Sequence, residues 1–220
     1  MYRSCFKRCI DFFIVFCVLL VIWPILVIIA LGLHFANEGA GAFFTQERPG
    51  RDGKIFKVIK FKSMTDERDP MGNLLSDEKR LTKIGKFIRM TSLDELPQLI
   101  NILNGSMSIV GPRPVAQDQF NMFRYGKWNE AAKVSVGLSG PAALYDYIYG
   151  DQITDETEYM EKVYPIRREL EYTYVQKASI GYDLKMVMYT VVCILYSLRG
   201  KECTWILNEL KADAAKTMIE

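Results

Sequence analysis

The chain has no CxxC pair and no cysteines at zinc-type spacing: Cys5, Cys9, Cys17, Cys193 and Cys203 are scattered, three of them in or beside one apolar run. That pattern argues against a thiolate metal cage and leaves the thiols as small buried hydrophobes in a reducing compartment. A large net charge is also missing. At +2 over 220 residues, no nucleic-acid partner is expected. Internal repeats and low-complexity tracts are absent too, so the length fits one modest domain with an appendage. Most informative, no formally charged side chain occurs from Phe12 to Leu33.

As a helix that run would be about 33 Å long, enough to cross a bilayer core. A cleaved signal peptide fits poorly, because the apolar part is too long and Asn37-Glu38 interrupts the approach to the small residues at Gly39 to Ala42. Two readings stay open. One is a spanning helix. The other is a re-entrant segment broken at Pro24, which removes a backbone donor near the middle. Basic residues flank the run on both sides (Arg3, Lys7 and Arg8 before; Arg48, Arg51 and Lys54 after), and the positive-inside rule then places both flanks in the cytoplasm.

Beyond the run, Phe43 to Gln46 leads into a turn cluster, RPGRDG. The alternation of KIFKVIKFKSM, Lys54 to Met64, predicts a β-strand with a basic edge. Thr65 to Asp77 reads as a loop. Leu81 to Met90 reads as a short helix with Ile84, Phe87 and Ile88 inward. A helix is expected from Pro97 to Leu103, closing near Asn104-Gly105. Helical patterning resumes from Val115 to about Lys133, and Gly137 to Pro141 reads as a turn. Glu156 to Ala178 is a charged, solvated-looking helix. Asp183 to Leu198 carries Leu184, Val187, Met188, Val191, Leu195 and Leu198 at helical spacing; it suits a core helix, or one lying at a membrane surface.

The densest chemistry lies in Arg89 to Pro114, RMTSLDELPQLINILNGSMSIVGPRP. Ser92-x-x-Glu95 matches a capping box, which would make the acids simple helix starters. Pro97 opposes this, since it would fall at the fifth helical position and clash with a carbonyl four residues back. A helix beginning nearer Asp94 keeps Pro97 in the tolerant first turn and leaves the Asp94 carboxylate partly free in the positive field of a helix start. An ionised aspartate there can attack phosphorus. Two adjacent carboxylates, Asp94 and Glu95, repel each other and call for a cation; Mg²⁺ prefers such oxygen ligands together with substrate phosphate. Lys60, Lys62, Arg89 and Arg113 are candidates to neutralise a diphosphate. A glycosidase using the acid pair fails on geometry, because sequence neighbours cannot flank a glycosidic bond.

The chain resembles the small monotopic phosphoglycosyl transferases, the bacterial sugar transferase family that initiates glycan assembly on polyprenyl carriers. The likeness runs from KR-x-x-D (Lys7 to Asp11) through FTQERPG, KIFKVIKFKSM and LDELPQL to VGPRP. It implies an α/β, mostly helical fold: a re-entrant membrane helix within residues 1–36, broken at Pro24, and a small compact cytoplasmic catalytic domain over 37–220, with a short β element and surface amphipathic helices. It implies ping-pong transfer, in which Asp94 attacks a UDP-sugar, releases UMP and holds a covalent phosphosugar that polyprenyl (undecaprenyl) phosphate then removes. Glu95 would help hold Mg²⁺ with Asp94, and Lys60, Arg89 and Arg113 match phosphate-site positions. The site would lie on the cytoplasmic face of the bacterial inner membrane, in contact with membrane lipid. Oligomeric state stays open, a homodimer included.

The family's usual Pro-Gly-x-Thr-Gly and the Gln-containing segment after it are replaced here by Val136 to Ala143 and tyrosine-rich LYDYIYGD. Trp23 stands where a small polar residue often precedes the proline. The altered glycine region leaves the sugar undetermined. It also supports an alternative in which a catalytically silent, membrane-bound relative scaffolds glycan assembly.

Overall fold

The computed structural model describes Tyr2 and residues 6–219. Arg3 and Cys5, read above as part of a basic flank and as a buried thiol, lie outside the described residues. Helix α1 spans Lys7–Ala36 and runs through Pro24 without an interruption of helical structure, where a break was expected. Pro24 removes one N–H from the ladder, but helical residues continue on both sides.

One stripe of α1 faces the rest of the protein. Val15, Leu19 and Ile22 pack with Leu99, Ile102 and Met107; Leu26, Ile29, Ala30 and Leu33 pack with Phe61 and Ile88. The spacing of three and four residues keeps this stripe on one side of a 3.6-residue helix. Phe13, Val21, Trp23, Ile28 and Phe35 point away and are exposed. Cys9 and Cys17 are exposed as well, correcting their reading as buried thiols, whereas Cys193 and Cys203 are buried and free.

Polar contacts pin both ends of α1. Lys7 donates to Asp183 at 2.5 Å, Ser108 donates to Asp11 at 2.5 Å, and Arg8 donates to the carbonyls of Ile102 and Leu103. At the far end the Asn37 amide donates to Gly41 O at 2.8 Å and Lys62 O at 2.6 Å. The KR-x-x-D residues thus clamp the helix start to the domain.

Strand β1 (Phe43–Pro49) pairs antiparallel with β2 (Ile55–Phe61), with Phe44 opposite Lys60. A loop with one short turn, α2 (Asp77–Arg80), leads into α3 (Lys83–Met90), whose first turn is capped by Thr82 accepting from Gly85 N at 2.9 Å. Ile88 faces inward as expected, but Ile84 and Phe87 are exposed. Gly85 is the reason: a Cβ there would lie 1.9 Å from Ser63 O, so α3 meets the chain after β2 through its glycine face.

Helix α4 (Gln98–Asn104) ends at Gly105 in a left-handed conformation, as anticipated. Strand β3 (Ser108–Val110) then pairs parallel with β4 (Gly137–Ser139). The turn expected at Gly137 to Pro141 is therefore a strand followed directly by a helix start. Close backbone approach explains the composition, because a Cβ on Gly137 would lie 2.1 Å from Gly111 N. The helix expected from Val115 to Lys133 divides into α5 (Gln117–Phe123) and a 3₁₀ segment over Gly126–Lys133.

The main core is helical. It joins α6 (Pro141–Ile148), α8 (Tyr164–Lys177), α9 (Ile180–Ser197) and α10 (Thr204–Ile219) around Tyr145, Leu170, Met186, Ile206 and Leu210, with a short α7 (Glu156–Glu158) leading in. Helix α8, expected to be solvated, buries Arg167, Glu169 and Glu171. Arg124 pairs with Glu171, and the Trp128 indole donates to Glu169 at 2.8 Å, so its charges serve internal pairing. Helix α9 is half-covered: Met186 and Cys193 are buried, while Leu184, Met188, Val191 and Leu195 form an exposed stripe.

Gly137→Ala is expected to cost about 1–3 kcal/mol or more through overpacking against Gly111. It should lower the midpoint of thermal unfolding in detergent; an unchanged midpoint would contradict the β3–β4 register.

Candidate active site

The residues singled out from sequence converge on one cleft of about 640 Å³. β2 and the residues after it supply Lys60 and Lys62, α3 supplies Arg89, and the segment after β3 supplies Arg113. Asp94 and Glu95 line the same cleft.

The local backbone explains how the acids are presented. α3 ends at Thr91, and Ser92 adopts a left-handed conformation with φ of 55°. Such a conformation is uncommon for a residue other than glycine and costs on the order of 1–3 kcal/mol, which the surrounding structure must hold in place. Leu93–Glu95 form a single 3₁₀ turn, Leu96 and Pro97 remain helical in φ and ψ, and α4 follows. Ser92 makes no side-chain cap, so the capping box does not form. The expected helix starting near Asp94 is therefore split: the 3₁₀ turn begins after Ser92, and Pro97 stands just before α4 at its N-cap position, where its missing N–H costs nothing.

The cations are held differently. Lys60 Nζ lies 2.7 Å from Glu95 Oε1, and Lys62 Nζ lies 2.5 Å from Asp66 Oδ2. Arg113 Nε is 3.5 Å from Asp146 Oδ2. Arg89 donates from Nε to Ser63 Oγ at 2.8 Å. Among the described residues it alone of these four makes no ion pair with a carboxylate. A guanidinium so placed is ready for an incoming anion.

The two acids differ in proton affinity. Burial, helped by the charge of Glu95 and only partly offset by Lys60 and Arg89, pushes the Asp94 carboxyl up to about 6. Burial also pushes Glu95 upward, but Lys60 and Arg113 outweigh it and hold that carboxyl below its ordinary value. The expectation that a helix start stabilises the Asp94 charge is thus reversed in sign: one 3₁₀ turn offers little dipole, and loss of water dominates. Asp94 is still mostly ionised at neutral pH, as a nucleophile must be.

Sequence reasoning did not single out Asp66 and Arg80, which line the cleft, nor two further acids in the tyrosine-rich stretch. Asp146 is buried and accepts from Tyr159 at 3.0 Å, with Arg167 at 3.2 Å and Arg113 beside it. It fixes the position of Arg113 from behind. Asp151 lines the cleft itself; burial raises its carboxyl, opposed by Arg113 and reinforced by Asp146. The unusual composition of LYDYIYGD was the available signal. Pro24, by contrast, lies in α1 and outside the cleft lining. Among the described residues no group of three or more His, Cys, Asp or Glu forms a ready metal cage. The Asp94–Glu95 pair suits a hard divalent ion that takes one or two carboxylates and completes its shell with water and phosphate.

Comparison with known proteins adds relatives. Residues 2–197 match the model of the bacterial sugar transferase family. The chain is 39% identical over 173 residues to the uncharacterized sugar transferase EpsL of Bacillus subtilis, covering 79% of each chain. It is 40% identical over 191 residues to the UDP-glucose:undecaprenyl-phosphate glucose-1-phosphate transferase of Klebsiella pneumoniae, covering 84% of this chain and 39% of that one. It is 34% identical over 190 residues to galactosyl transferase CpsE of Streptococcus agalactiae, covering 80% and 39%. The chain therefore spans well under half the length of the latter two.

Without divalent cations, water-soluble carbodiimide, which reacts with protonated carboxyls, should modify Asp94 with a midpoint near pH 6. Modification should fade as pH rises through that value. A midpoint at the ordinary aspartate value of about 4 would show a solvated carboxyl instead.

Proposed function

The chain belongs to the bacterial sugar transferase family, and from that premise we propose that it transfers a sugar-1-phosphate from a UDP-sugar to polyprenyl phosphate through a covalent intermediate on Asp94. The observation that carries this reading is the cleft itself, where a desolvated aspartate shares the lining with Lys60, Lys62, Arg89 and Arg113. The names of relatives in which such a transfer is printed point to the same chemistry.

In the first half-reaction an Asp94 oxygen attacks the sugar-bearing phosphorus. The Asp–O–P bond forms, the bond to UMP breaks, and UMP leaves with its electron pair. Arg89, lacking a carboxylate partner, receives the diphosphate, and Arg113 is held in place for the same charge by Asp146. In the second, a polyprenyl phosphate oxygen attacks the same phosphorus, and Asp94 departs as a carboxylate. Asp94 and Glu95 would hold Mg²⁺, which supplies positive charge for the diphosphate when bound. Splitting the transfer in this way lets one site serve a soluble donor and a lipid acceptor in turn.

The same proposal extends to the membrane, and α1 supports it. Its inner stripe packs on the domain on both sides of Pro24, while its outer face is apolar and exposed. A helix perpendicular to a bilayer could not keep both contacts unless the domain were also immersed. We therefore read α1 as an anchor held in one leaflet with both of its ends on the same side, and residues 37–220 as lying on the cytoplasmic side of the inner membrane. Exposed Ile84 and Phe87 of α3 and the outer stripe of α9 would rest on the same surface. The acids and cations that the cleft keeps favour transfer over the scaffold alternative.

Incubation with a turned-over UDP-sugar and Mg²⁺, without lipid, should add one sugar-phosphate mass to the intact protein and release one UMP per chain. Asp94→Asn should lose both by at least about a thousandfold, the scale of losing a covalent nucleophile, while staying in the membrane fraction. Wild-type turnover in that variant would remove Asp94 from the mechanism.

A further inference from the structure

An apolar groove of about 240 Å³ adjoins the catalytic cleft. Its floor and walls come from Leu138 of β4, Ala143 and Leu144 of α6, and Val187, Val191 and Ile194 of α9. At one end it reaches Ser92, Glu95, Arg113 and Tyr147, which line the cleft as well. On the α9 side Val191 belongs both to the groove wall and to the exposed stripe with Met188 and Leu195. The groove therefore joins the phosphate-handling site to an uncovered apolar surface.

We propose that this groove seats the first isoprene units of the polyprenyl phosphate acceptor, with the phosphate directed to Arg113 and the tail leaving along α9. The proposal rests on the transfer reaction proposed above and adds to it the acceptor's path. A nucleotide-sugar is polar over most of its surface and has no use for such a lining; a molecule with one anionic head and a long hydrocarbon tail matches both ends. The tail gains little by exchanging bilayer for protein, since lipid is as apolar as valine or leucine. The groove therefore contributes alignment: it holds the acceptor oxygen toward the Asp94-bound phosphorus and makes the attack effectively unimolecular. Ala143, as the small residue of the wall, leaves the space that the tail fills.

Two arms test this on the full chain in nanodiscs. Ala143→Leu and, separately, Val187→Phe should load sugar-phosphate onto Asp94 within about twofold of wild type, while discharge to undecaprenyl phosphate slows at least tenfold. Met218→Phe, on α10, outside the groove lining and off the α9 stripe, should discharge normally. In the second arm, an undecaprenyl phosphate carrying a diazirine on its first isoprene should crosslink to α9 peptides containing Val187 and Val191. Normal discharge by both filled variants, or crosslinks confined to other elements, would overturn the groove as the acceptor path. Loss of loading by folded filled variants would assign the groove to the donor and overturn it as well. If wild type never loads Asp94, the transfer reading fails, and the crosslinking arm still reports separately where the lipid sits.

Discussion

The structure depends first on one packing constraint: a 30-residue apolar helix lies with a single stripe against the domain along most of its length. The first half of the stripe meets α4, which directly follows the Asp94–Glu95 turn, and the second half meets β2 and α3, which carry Lys60 and Arg89. The helix is thus the platform on which the cleft is built. Removing one partner of the buried Lys7–Asp183 pair would strand the other charge at a cost of about 3–5 kcal/mol, so the pair fixes where the helix start sits.

The electrostatics of the cleft follow from crowding. Four cleft acids (Asp66, Asp94, Glu95 and Asp151) share a partly dehydrated space with five cations, and among the described residues each cation except Arg89 is already committed to a carboxylate. Glu95, paired with Lys60 at 2.7 Å, stays ionised, whereas Asp94 carries the burden of lost water. A carboxyl that is poorly hydrated yet charged at neutral pH is suited to forming a bond with phosphorus. Asp146 takes no part in the cleft lining but decides where Arg113 sits.

The candidate cleft was largely legible in the sequence because its parts come from short motifs with strong local chemistry. Asp94, Glu95 and Arg113 fall within one 26-residue stretch, Arg89 to Pro114, and Lys60 sits on a strand whose alternation is plain. Pro97 rightly argued against a continuous helix capped by Ser92, but it marks the start of α4 and not of the turn that carries the acids. What was hidden depends on contacts distant along the chain. The β3–β4 pairing joins residues about thirty apart, and glycines that permit close approach look like a turn when read locally. The charges of α8 suggested solvent, because a sequence does not say that Glu171 will meet Arg124 in the interior. Ile84 and Phe87 looked like core until Gly85 proved to be the face that packs. Helix α9 proves to be a core helix on one side, and its other side is an exposed apolar stripe.

The central claim is that both ends of α1 and the cleft lie on one side of the membrane. Single-cysteine proteins keeping Cys9 or carrying Glu38→Cys, in an otherwise cysteine-free chain, can be treated with a membrane-impermeant maleimide in intact spheroplasts and after lysis. The account predicts that both positions are protected in intact cells and label together once the cytoplasmic face is opened. Labelling of one position from outside, with the other protected, would establish a true crossing and contradict it.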